Sequence, residues 1–182
     1  MSCSSSMKSR QGSAEPANSS PKSTRGIESD LTLVGKALSG GFYPISAVLS
    51  NKETLPMFQP GDHGSTFGGN PLACAVAREA LKVIEDEKLI EKSLFMGHYL
   101  KESLRNILSP YVKEVRGMGL LIGVALKKSA GGARKFCETL MEKGILCKET
   151  HKHVIRFAPP LTITKEELDW ALDRIESVLT VP

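Results

Sequence analysis

The sequence predicts a mixed α/β protein whose second part, residues 109–182, closes as a compact α+β unit. Three observations carry this expectation. Short apolar runs are bounded by glycine and proline, as buried strands are. Longer stretches between them place apolar residues at helical spacing. Several of those stretches begin or end on capping residues.

In chain order, Leu31–Val34 and Ile45–Leu49 are the first two apolar runs and are expected as strands. Residues 52–69 carry no periodicity and are expected as a loop. Asn70-Pro71 opens a helix, with asparagine as N-cap and proline in the first turn. Leu72, Val76, Ala80, Val83 and Ile84 supply its apolar stripe to about Asp86. A second helix is expected from Leu89 to about Leu108, then strands at Val112–Arg116 and Leu120–Leu126. Ala133–Lys143 is a helix stopped by Gly144, a residue suited to the left-handed position past a helix end. Ile145–Lys148 and Val154–Phe157 are further strands. Thr164 and Glu167 stand at capping-box spacing and open a last helix to about Val178. No internal repeat is present.

The 182 residues are 41% apolar, enough to bury a core, and the formal charge is +4. No basic block is interleaved with aromatics, so nucleic acid is not an expected partner. No apolar run approaches the ~20 residues of a membrane span, so neither is a membrane. The four cysteines, Cys3, Cys74, Cys137 and Cys147, match no zinc spacing. They point to a reducing compartment, with Cys74, Cys137 and Cys147 expected as buried free thiols. Residues 1–26 hold nine serines, four basic residues, one acid and no aromatic. Such a stretch cannot bury enough to offset its ordering entropy. Three regions are therefore expected: a disordered serine-rich leader at 1–27, a first domain with a connecting helix at 28–108, and a second domain at 109–182. Cytoplasm is the expected location. The mitochondrial matrix is the alternative, because a serine- and arginine-rich, acid-poor start is shared with transit peptides.

Three segments are candidates for chemistry. Lys36 follows an apolar run and precedes Ser39-Gly40-Gly41, where the backbone can approach a bulky ligand. An amine partly removed from water there is a neutral nucleophile, able to form a Schiff base with an aldehyde coenzyme. The plain alternative is a solvated surface lysine. His63-Gly64-Ser65-Thr66-Phe67-Gly68-Gly69-Asn70-Pro71 sets hydroxyls before a helix start, where free amides favour a phosphate. The alternative is a capped helix with a pliant lead-in. Arg156 lies inside the apolar run Val154–Phe157. A guanidinium there suits a carboxylate, and a salt bridge or an edge-strand position would serve as well.

Together the stretches GKALSGGFYPISAVL, GDHGSTFGGNPLACAVA, EVRGMGLLIGVAL and CKETHKHVIRFAPPLTIT resemble the class III pyridoxal-phosphate-dependent aminotransferases, most closely the ornithine aminotransferase group. The resemblance implies part of a fold-type I transferase: a remnant of the large-domain sheet plus the C-terminal small domain. It implies pyridoxal 5'-phosphate as cofactor, Lys36 as the lysine that carries it, and Ser65 and Thr66 as phosphate contacts across a homodimer interface. Arg156 corresponds to an arginine that binds a substrate carboxylate. The implied reaction moves the δ-amino group of ornithine to 2-oxoglutarate, giving glutamate semialdehyde, which cyclises to pyrroline-5-carboxylate, and glutamate. Acetylornithine and other class III enzymes share part of the pattern.

In that family the acid beside the pyridine nitrogen, the aromatic stacked on the ring and a phosphate-holding glycine turn precede the lysine strand. No residue here corresponds to them. The expectation is a chain inactive alone, or a non-catalytic remnant that binds a full-length subunit, with strand edges and apolar faces exposed.

Overall fold

The computed structural model describes residues 30–54 and 57–180, so the leader expected at 1–27 lies outside the described residues. The chain divides into two units after Ile90.

In the first unit, β1 (Leu31–Gly35) pairs antiparallel with β2 (Ser46–Ser50), from Leu31 opposite Ser50 to Gly35 opposite Ser46. The connection begins with a 3-10 turn over Lys36–Ser39, closed by Gly40 in the left-handed region at φ 64°. After the loop comes α1 (Pro71–Asp86). Its start follows the capping logic: the Asn70 side-chain oxygen accepts the Ala73 amide at 2.9 Å, with Pro71 in the first turn. The buried face differs in part from the expected stripe, of which Val76, Ala80 and Ile84 are half-buried. Ala73 and Ala77 are buried, whereas Leu72 and Val83 are exposed. Small side chains are needed on the inner face because the Lys36–Ser39 turn packs closely on it. A Cβ added at Gly40 would lie 3.6 Å from the Ala80 methyl. Cys74, expected to be buried, is exposed. It follows Ala73 by one residue and so points about 100° away from the packed face.

The second unit is a four-stranded antiparallel sheet in the order β3-β4-β6-β5, with helices on one face. Its elements are α2 (Leu89–Asn106), β3 (Val112–Met118), β4 (Leu121–Leu126), α3 (Arg134–Glu142), β5 (Lys148–Thr150), β6 (Val154–Phe157) and α4 (Lys165–Leu179). The division after Ile90 falls in the first turn of α2, because Met96, Leu100 and Leu104 of that helix join the core of the second unit. Ile122, Val124 and Ile155 from the sheet meet Leu140 of α3 and Leu179 of α4 in the same core. Each such side chain contributes about 2 kcal/mol by leaving water.

The ends of these helices show why the elements stop where they do. Ile145 donates to Leu140 O at 2.8 Å and Gly144, at φ 85°, to Met141 O at 3.0 Å. This Schellman arrangement consumes the amide of Ile145. The strand expected at Ile145–Lys148 therefore starts later, and β5 runs over Lys148–Thr150. At α4 both halves of the capping box form. Glu167 N–H donates to Thr164 Oγ1 at 3.2 Å, and Thr164 N–H to Glu167 Oε2 at 2.9 Å.

The glycines of EVRGMGLLIGVAL serve packing. Gly119 lies in the turn between β3 and β4, and α2 crosses it backbone to backbone at Gly97. A Cβ on Gly97 would sit 2.1 Å from both the carbonyl carbon and the oxygen of Gly119. Ser93, fully buried one turn earlier, accepts the Leu120 amide at 3.4 Å.

Candidate functional site

Lys36 is the first residue after β1. It is exposed and has a positive φ of 54°, a conformation that L-residues seldom adopt. Gly35 before it is extended. The turn behind it is held by Ser39, whose side chain is fully buried. The Ser39 hydroxyl donates to Tyr43 O and accepts the Tyr43 amide at 3.2 Å. Gly41, also at positive φ, opens on empty space. A short side chain thus ties the last residue of the turn to Tyr43 beyond it, and Lys36 is left on the surface of the unit. Ser39 has no sequence signal as an anchor, since a serine beside glycines reads equally as a loop residue.

The Ser65–Gly69 segment forms a self-held turn before α1. Ser65 Oγ accepts the Gly68 amide at 3.0 Å, and Asn70 Nδ2 donates to Phe67 O at 3.0 Å. Both Ser65 and Thr66 are exposed. A hydroxyl that accepts one amide retains its own O–H to donate to an anion. The Lys36 turn meets α1 at Ala80, roughly 13 Å along the helix axis from its first residue at 1.5 Å per residue. The turn therefore lies beside the middle of α1, away from the helix end that carries Ser65 and Thr66.

In the second unit Arg156 lies on β6, an interior strand between β4 and β5. It is opposite Gly123 on one side and Lys148 on the other. Ile155 and Phe157 face the core, so Arg156 takes the other face of the sheet. Its Nε is buried and has no hydrogen-bond partner. Among the described residues it has no ion pair either, and the edge-strand alternative does not hold. A buried guanidinium N–H left unpaired is costly, and a carboxylate would satisfy it.

The two cysteines of the second unit are poor candidates for a nucleophile. Cys137 is buried and Cys147 half-buried, and burial, with Cys137 beside it, pushes the Cys147 thiol up to about 12. Among the described residues no group of three or more His, Cys, Asp or Glu could hold a metal ion, and no helix is long and apolar enough to cross a membrane.

The mixed α/β elements match part of the fold of pyridoxal-phosphate-dependent aminotransferases. The family model described as aminotransferase class-III matches residues 21–179, and the chain belongs to the class III aminotransferases. It is 58% identical over 154 residues to the ornithine aminotransferase of Bacillus subtilis (strain 168), covering 85% of this chain and 38% of that protein. It is 60% identical over 149 residues to the ornithine aminotransferase of Geobacillus sp. (strain WCH70), covering 82% of this chain and 37% of that one. Among solved structures, the ornithine aminotransferase of Toxoplasma gondii, with partial occupancy of PLP at its active site, matches with a TM-score of 0.89 and 41% identity over 94% of this chain and 42% of that one. The acetylornithine aminotransferase of Elizabethkingia anophelis matches with a TM-score of 0.87 and 39% identity, over 94% and 46%. The chain thus spans less than two-fifths of the length of these curated relatives.

Proposed function

We propose that this chain supplies the lysine-bearing and C-terminal portion of an ornithine aminotransferase. The reaction transfers the δ-amino group of ornithine to 2-oxoglutarate, yielding glutamate and glutamate semialdehyde, which closes to pyrroline-5-carboxylate. This places it in arginine and proline metabolism, in the cytoplasm or, alternatively, the mitochondrial matrix. The observation that supports the proposal is the position of Lys36 at the end of β1 with a positive φ of 54°; its side chain is exposed, not partly removed from water as expected from the sequence. Strain of this kind gathers at ligand and active sites.

Pyridoxal phosphate supplies the electron sink when bound. The chain's own residues hold and orient. Lys36 Nζ would hold the coenzyme at its aldehyde, and the same amine would take and return the proton of the substrate carbon that bears the amine. The Ser65 and Thr66 hydroxyls donate to phosphate. Their separation along α1 from the Lys36 turn favours service to a second copy in a homodimer. Arg156 receives a substrate carboxylate, and its unpaired buried Nε supports this role.

A second reading is a non-catalytic subunit that binds a full-length aminotransferase. The exposed apolar residues Leu33 and Val48 on the β1–β2 sheet favour it.

The test mixes the purified chain with pyridoxal phosphate, reduces with borohydride and maps the peptides. A near-visible absorbance band and a label on Lys36 are expected, and Lys36→Ala should abolish both. A wild-type chain with no lysine-dependent band and no labelled Lys36 peptide overturns the coenzyme role. Where the chain is active together with other subunits, comparing ornithine with N-acetylornithine as donor separates the two class III substrates.

A further inference from the structure

The sheet of the second unit carries a row of charge. Across the order β3-β4-β6-β5, Arg116 is opposite Gly123, Gly123 opposite Arg156, and Arg156 opposite Lys148. Directly opposed residues of antiparallel strands share a face, with Cβ atoms about 5 Å apart. Val115, Val124 and Ile155 fill the helix-covered face, so the row lies on the other one.

The charges in this row are unevenly balanced. Arg116 Nη1 is paired with Glu114 Oε2 at 2.9 Å. Arg156 and Lys148 have no ion-pair partner among the described residues. Two cations set directly opposite across an antiparallel pair repel, and an anion between them turns that repulsion into attraction. The unsatisfied, buried Nε of Arg156 is the second sign that a group is wanted there. On its other flank Arg156 is opposite Gly123, which carries no side chain. A Cβ at Gly123 would press on Val154 Cγ1 at 3.3 Å.

We propose that Lys148 is a specificity-determining residue, its ammonium sharing with the Arg156 guanidinium one carboxylate of the 2-oxo acid acceptor. The planar fork of the arginine takes both oxygens, and the lysine adds a point charge to one of them. This rests on the reading of Arg156 as a carboxylate receiver. It requires that the position select a carboxylate over an uncharged carboxamide more strongly than an arginine alone would. Lys148 is exposed on an edge strand, so its share of the binding is screened by salt.

The test titrates 2-oxoglutarate into the full chain at low and at high ionic strength, by calorimetry, for wild type, Lys148→Gln, Lys148→Arg and Arg156→Gln. Lys148→Gln should weaken binding about fivefold at low salt, the effect of one partly exposed charge, and should flatten the salt dependence. Lys148→Arg should restore both, and Arg156→Gln should abolish binding. Because Lys148 is exposed, circular dichroism should show its variants folded as wild type. If Lys148→Gln binds as tightly as wild type while Arg156→Gln fails, the role of Lys148 is overturned and that of Arg156 stands. If Arg156→Gln also binds as wild type, or wild type does not bind, both fall.

Discussion

Lys36 carries a backbone conformation that costs an L-residue about 1–2 kcal/mol, and glycine nothing comparable. A chain selected for stability alone would place glycine there, as it does at Gly40 and Gly41 immediately after. Lys36→Gly is therefore expected to stabilise the chain by about 1 kcal/mol while removing the lysine-dependent coenzyme band. Urea unfolding measures the first effect and absorbance the second. A midpoint that falls would show that the lysine is unstrained. The sequence made Lys36 conspicuous through its neighbours, a preceding strand and following glycines. Its positive φ was invisible there, because nothing in GKALSGG distinguishes a strained lysine from a relaxed one. Arg156 is the complementary case. Its apolar surroundings were legible, but its unpaired Nε depends on which groups the sheet brings near it, and those come from strands far apart in sequence.

Local signals placed most elements. The Thr164–Glu167 box, the Asn70 cap and the Gly144 stop each act over a few residues, and each forms as the pattern requires. Elements shifted where packing competes. The start of β5 moved because the α3 terminus claimed Ile145, and the inner face of α1 fell on alanines because a turn packs against it. Gly97 shows the same principle with the sign reversed. Inside a solvent-facing helix, alanine is about 1 kcal/mol better than glycine. Here the added methyl would meet the Gly119 backbone at 2.1 Å. Gly97→Ala should therefore destabilise by about 3 kcal/mol, read as a lowered thermal midpoint. A raised midpoint would mean that α2 and the β3–β4 turn do not touch.

At the scale of the molecule, the two units differ in how far each closes its own core. The second gathers its apolar side chains between one sheet face and three helices. The first leaves Leu31, Leu33, Val48 and Leu49 about half exposed on a two-stranded sheet, and Phe42 and Phe67 more so. Apolar faces of this kind drive association. Leu33 and Val48 are opposite one another, so Leu33→Lys with Val48→Glu makes a cross-strand ion pair in place of an apolar one. The double variant should sediment as a smaller species than wild type at the same concentration, with an unchanged circular dichroism spectrum. Unchanged association would show that this face is not where the chain meets its partner.

The sequence by itself determined the class III family, the order of strands and helices, and the helix ends, since motifs and caps are read from neighbouring residues. Tertiary structure alone decided the strain at Lys36, the anchoring of its turn by Ser39, and the row that sets Lys148 beside Arg156. It also decided the backbone contact of Gly97 with Gly119. Caps and periodicity cost or gain free energy within one turn of chain and are read from residue types, whereas facing charges and the Gly97 contact exist only once separated segments are brought together. The Lys36 φ and the Ser39–Tyr43 bonds are local, but no residue pattern signals them.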